Sequence, residues 1–150
     1  MDMIMGLSII AVAIVGIQIA QNNYVNMSSR VEVGLRAISL ANSVMNVIRM
    51  HDFDENSAAP WSLTLGTDTG ESSAALYDDI DDYSGATWDF SGDGFPGFTI
   101  TTTVHNIDIN SSWLSSVGSR TNFKRIIVQI DHPSLANPVV FSSIMVGIDS

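Results

Sequence analysis

The chain has no cysteine, a single lysine, and only four prolines, the first of them Pro60. Without cysteine there can be no disulfide, no thiolate nucleophile and no Cys-ligated zinc or iron–sulfur centre. Six basic residues face sixteen acidic ones, a net charge of −10. A phosphate-binding surface needs clustered Lys and Arg, so no nucleic acid is expected as a partner. Charge is missing altogether from residues 3–20, where only Ser8 and Gln18 are neither apolar nor glycine. The 150 residues suffice for one domain. They combine a greasy front with an acidic body, as in a membrane-inserted or polymerised chain with a solvent-facing head.

The run from Met3 to Ala20 spans roughly 27 Å as a helix, close to the hydrocarbon thickness of a bilayer. No Lys or Arg precedes it and no small-residue cleavage site follows, so it does not read as a secretory signal peptide. The first base is Arg30. The start reads as that of a chain whose short cationic leader has been removed.

Helical periodicity continues past this run. Tyr24, Met27, Val31, Leu35, Ile38, Ala41, Met45 and Ile48 recur at spacings of three and four. Val33, Ala37, Leu40, Val44 and Val47 form a second apolar line. With no proline before Pro60, the pattern predicts one helix from about residue 2 to about 51, on the order of 75 Å long. One face is expected to cover the chain's own head and the second to meet a partner. Residues 1–24 form the apolar stem, and 25–150 the head with the amphipathic half of the helix. Gly6, Gly16, Gly34 and Asn22-Asn23 are its weak points, and Gly16 reads as a place for close helix packing, with a locally stretched turn as the alternative.

Eleven acids and no base lie between Asp52 and Asp93. This segment reads as a long surface loop. Trp61, Tyr77, Tyr83, Trp88 and Phe90 are expected to pin it to the core. Three strands follow. Phe98, Ile100, Thr102 and Val104 alternate with Thr99, Thr101, Thr103 and His105. A second strand runs from Phe123 to Asp131, with Ile126, Val128 and Ile130 on one face and Arg125 and Gln129 on the other. The third is Pro138 to Ile148. The fold class is α+β: a long N-terminal helix whose C-terminal half carries a small antiparallel sheet.

An apolar stem, an amphipathic continuation, an acidic loop and a terminal antiparallel sheet together resemble the type IV pilin-like proteins, pilins and type II secretion pseudopilins. Within the head, Phe53-Asp54-Glu55 resembles the FDE segment of such proteins. Asp78-Asp79-Ile80-Asp81-Asp82-Tyr83-Ser84-Gly85 is similar to the DDxDDYxG stretch of haemagglutinin-type minor pilins. Phe123-Lys124-Arg125-Ile126-Ile127-Val128 is similar to the KRIxV strand of the same proteins. There are departures: Met5 stands where the family usually has Glu, Asn22 replaces the stem proline, and no cysteine pair closes the C-terminal region.

The resemblance implies a structural subunit of an extracellular filament, held in the inner membrane before assembly. Its partners would be copies of itself, the inner-membrane pilus assembly machinery and, transiently, the lipid bilayer. Alternatives are a minor pilin or pseudopilin, or a membrane-anchored binding module that never polymerises. Met1, Asp2, Ile4, Leu7, Ile10, Ile14 and Ile17, with Val33, Ala37, Leu40, Val44 and Val47, are the candidate assembly residues. Asp2, the only acid near the stem, either pairs with a neighbouring subunit's α-amino group, because an unpaired carboxylate in an apolar bundle is costly, or sits in the headgroup region or caps the helix start.

No catalysis and no cofactor are expected. His51, His105 and His132 lack metal-ligand spacing, and Gly92-Asp93-Gly94 is a turn without the GK[ST] of a phosphate loop. Asp78, Asp79, Asp81, Asp82, Asp89 and Asp93 offer oxygens for calcium, but no EF-hand spacing exists. A solvated acidic face is the preferred reading of that segment.

Overall fold

The computed structural model describes residues 2–90, 92 and 94–148, with the side chains of 2–9 and 11 outside the description. Helix α1 runs from Asp2 to Ile48, 47 residues and about 70 Å. It ends three residues before the expected boundary, in turns that bond Met50 N–H to Val47 O and His51 N–H to Ile48 O.

Five strands follow among the described residues: β1 (Thr87–Asp89), β2 (Thr99–Asp108), β3 (Ser112–Ser116), β4 (Phe123–Asp131) and β5 (Val139–Val146). All pairings are antiparallel, in the order β1-β2-β4-β5, with β3 also on β2. The α+β architecture is the expected one. Strands β2, β4 and β5 match the alternating segments of the sequence, whereas β1 and β3 were not anticipated. Thr87-Trp88-Asp89 and Ser112-Trp113-Leu114-Ser115-Ser116 carry too little alternation to stand out from loop.

Inward-facing Ile100, Val104, Ile126, Val128 and Ile130 meet the helix, which lies across β4 and β5. Ala37 and Ala41 are fully buried at this contact. Their small side chains let the helix approach the sheet, and Leu40, Met45 and Ile48 fill the flanks.

The two apolar lines of the helix are therefore divided differently from the expectation. Ala37 and Leu40, assigned to a partner, lie in the head's own core, with Val33 and Val44 packed against it. Val47 stays 51% exposed. Conversely Tyr24, Met27, Val31, Leu35 and Ile38 lie in solvent, and only Ala41, Met45 and Ile48 of that line are buried. The reason is geometric. The core meets the helix only from Val33 onwards, and a seven-residue spacing drifts about 20° per repeat on a straight α-helix, so the line turns from the sheet and then runs beyond it towards the N-terminus.

Candidate functional site

Two features are candidates for function: the uncovered surface of α1 and a buried charge cluster that secures the head. Ile10, Ile17, Tyr24, Val31 and Ile38 follow one another at seven-residue intervals, with Ile14 and Leu35 beside them, and all are exposed. Leu35 is 64% exposed although it lies level with the start of the head. Of the expected assembly residues, Ile10, Ile14 and Ile17 belong to this surface. Met1, Asp2, Ile4 and Leu7 lie outside the described side chains. Val44 and Val47 line an apolar crevice of about 260 Å³ with Leu40, Tyr83, Trp88 and Phe90. By length and composition, the helix contains within Val12–Ile48 a window long and apolar enough to cross a membrane.

The three head segments that carry the resemblance meet at one point. Strand parity in β4 puts Lys124 on the same face as Ile126, Val128 and Ile130, so the only lysine of the chain is 0% exposed. Its Nζ donates to Asp54 Oδ2 at 2.8 Å, to Asp81 Oδ2 at 2.6 Å and to Phe53 O at 2.9 Å. All three ammonium protons are thereby matched. The Phe53 ring lies 4.4 Å from Nζ, a cation–π contact.

The acidic segment folds around this cation. Asp79 Oδ1 accepts from the N–H groups of Asp81 and Asp82, and Oδ2 from Glu55 N–H. Asp82 Oδ2 returns the favour to the N–H groups of Asp78 and Asp79. The result is a reciprocal cap that holds a single 3-10 turn, Asp81–Tyr83. Backbone bonds between Asp52 and the Asp78 to Ile80 stretch tie this turn to the end of α1. Gly85 then takes φ +84°, a left-handed conformation that favours glycine, and its N–H bonds Thr102 O on β2. Thr102 Oγ1 donates back to Tyr83 O.

Asp54, Asp79, Asp81 and Asp82 are consequently buried, which corrects the expectation of a solvated acidic face. Local N–H donors and a lysine arriving from β4 replace the water these carboxylates lose. Asp78 and Asp89 do remain exposed, and Asp93 is outside the described residues. Trp61 and Tyr83 are buried, and Tyr77, Trp88 and Phe90 pack on the core, so the loop is pinned as expected.

Burial pushes the Asp81 carboxyl up to about 7, against the opposing pull of Lys124. Burial also raises Asp79, partly offset by the Asp81 N–H. For Asp54 burial acts in the same direction but is outweighed by hydrogen bonds from Lys124, Asn56 and Ser62, which hold it below the usual carboxylate range. Among the described residues, no protein group bonds the buried Asp81 Oδ1.

On the loop's outer side, carboxylate oxygens of Glu71, Asp78 and Asp82 come within 4.8 Å of one another. A hydrogen bond to Asp82 pushes Glu71 above its ordinary range. The histidines serve separate partners. His51 Nε2 lies 2.9 Å from Tyr83 Oη, His105 pairs across the sheet with Arg125, and His132 stacks on Phe98.

No protein-family model, no curated protein and no solved structure matches the chain. The architecture itself, a long N-terminal apolar helix packed against an antiparallel sheet, is pilin-like.

Proposed function

We propose that this chain is a structural subunit of an extracellular type IV pilus-like filament. Its stems would pack together in the fibre core with the heads outside. Before assembly the stem would sit in the inner membrane, from which the assembly machinery would extract it.

One observation supports this reading above the others: the apolar stripe on α1 does not end with the membrane-length segment. Ile10, Ile14 and Ile17 suit lipid and protein equally. Tyr24, Val31, Leu35 and Ile38 continue the stripe past Asn22-Asn23 and alongside Arg30, Glu32 and Arg36, a stretch too polar for hydrocarbon. A solitary anchor has no use for that extension, which leaves four large apolar side chains in water. Burying each Leu, Ile or Val is worth about 1.5–3 kcal/mol. A second copy supplies the cover. An interface between different surfaces of identical chains propagates as an open helix wherever its rotation does not close into a ring.

Leaving lipid for a bundle brings no hydrophobic gain, so that step relies on packing and polar pairing. Gly16 permits close approach of a neighbouring stem, and Asp2 would pair with a neighbour's α-amino group and set the axial register. Cryo-microscopy of fibres sheared from the cell surface tests the proposal. Fibres with stems at the axis and the Tyr24–Ile38 stripe against a neighbour are the expected result. A chain found only as dispersed monomers in the membrane would overturn it.

A further inference from the structure

We propose that Lys124 and Asp81 form an intramolecular amide cross-link, Nζ bonding to Cγ with release of one water, and that Asp54 accepts the proton. This inference rests on the head alone and stands whether or not the chain polymerises.

The reacting groups are already in place. Nζ lies 2.6 Å from Asp81 Oδ2. By covalent geometry that sets the nitrogen roughly 3–3.5 Å from Cγ, the separation of a near-attack conformer. The Lys124 and Asp54 side chains are 0% exposed and that of Asp81 5%, so bulk water is kept from the pair. Phe53 closes the site, its ring over Nζ and its carbonyl bonded to it. Among the described residues the Asp81 carboxyl is tethered through Oδ2 only, since no protein group bonds Oδ1. Turning its face towards the nitrogen costs no hydrogen bond on that side.

The protons balance within the cluster. Asp54 takes one from the ammonium and frees the nitrogen lone pair, which attacks Cγ of the protonated Asp81. The N–C bond forms and the C–O bond to the hydroxyl breaks. The hydroxyl leaves as water with the second proton lost by nitrogen, and Asp54 ends as a neutral acid. No oxidant or co-reactant is needed. The protonation states suit this course, since burial holds the Asp81 carboxyl protonated up to about pH 7. Asp54 owes its low range to Lys124 and to N–H donors, so its basicity rises once the ammonium gives up its charge.

The exchange is favourable for a physical reason. An ammonium and a carboxylate kept out of water carry a large desolvation penalty, and a neutral amide does not. Well-oriented intramolecular groups also react with effective molarities of about 10⁵–10⁸ M, which opposes the tendency of amides to hydrolyse in dilute solution.

Intact and tandem mass spectrometry of the full chain, purified in detergent, tests the proposal. The expected mass is lower than the sequence mass by one water, with a branched peptide joining the segments that contain Asp81 and Lys124. Asp54→Asn is expected to restore the full mass while circular dichroism retains the head signal. Should that variant fail to fold, the wild-type chain alone decides. A full sequence mass, with Lys124 open to acetylation after denaturation, overturns the proposal. So does a water loss mapped to a succinimide at Asp93-Gly94 instead of a branched peptide.

Discussion

Lys124 and Asp54 are seventy residues apart in the chain and 2.8 Å apart in the fold, both side chains fully buried. The bond ties the central strand β4 to the segment that leaves the helix, and through Asp81 to the 3-10 turn. Removing one partner strands the other charge in a dry interior. Lys124→Met is therefore expected to destabilise the head by about 3–5 kcal/mol, read as a lowered thermal midpoint in detergent. Pairing it with Asp54→Asn should recover part of that loss, because the uncompensated charge is then gone too. Equal midpoints for Lys124→Met and wild type would count against the cluster as a structural clasp.

Asp81 makes stability depend on pH in a definite direction. Its carboxyl is raised from 3.8 to about 7 on folding. Between these values the folded chain holds a proton that the unfolded chain has released, so stability falls as pH rises through this window. Asp79, also raised, adds to the trend. Asp54, lowered, acts oppositely, and its contribution is lost only as pH falls through its depressed folded value. Chain with free Lys124 and Asp81 is expected to melt at higher temperature at pH 5 than at pH 8. Asp81→Asn should flatten that difference, and the cross-linked chain, with no Asp81 carboxyl to titrate, should lack the Asp81 part of it.

Gly147 follows β5 where a Cβ would lie 2.7 Å from the Phe53 ring and 2.8 Å from Trp61. Phe53 is held over Lys124 and Trp61 is bonded through Nε1 to Asn122, so neither ring can simply swing away. Gly147→Ala is expected to cost about 1–3 kcal/mol by overpacking, measured by chemical denaturation. A neutral result would mean that the rings shift freely.

Leu35→Glu separates assembly from folding. The residue is exposed, so the head's melting transition and membrane fractionation should be unchanged while surface fibres disappear. Ala37→Glu, two positions on, should instead unfold the head, since Ala37 is fully buried against the sheet. Fibre yield unaffected by Leu35→Glu would remove the stripe from the proposed interface.

Asp2→Ala addresses the axial register. Loss of the carboxylate is expected to reduce fibre yield or change the helical rise seen by cryo-microscopy, with membrane insertion intact. An unaltered rise and yield would dispose of the pairing with a neighbour's amino terminus.

The chain's one-dimensional pattern was enough for the helix and three of the strands. An apolar run of membrane length, then three-and-four spacing without proline, leaves α1 little alternative, because helical periodicity is a property of neighbours along the chain. Alternation in β2, β4 and β5 is equally local. That parity also put Lys124 on the inner face with Ile126, Val128 and Ile130, a signal present in the sequence that a charged residue is easily assumed to defy. Tertiary structure alone decided which helix face met the sheet, because Ala37 and Ala41 win by being small and the seven-residue line drifts as it climbs. It also decided that four acids of a loop with no base would be buried. Their cation lies some forty to seventy residues downstream, and a carboxylate's environment is set by what folds against it, not by the residues beside it.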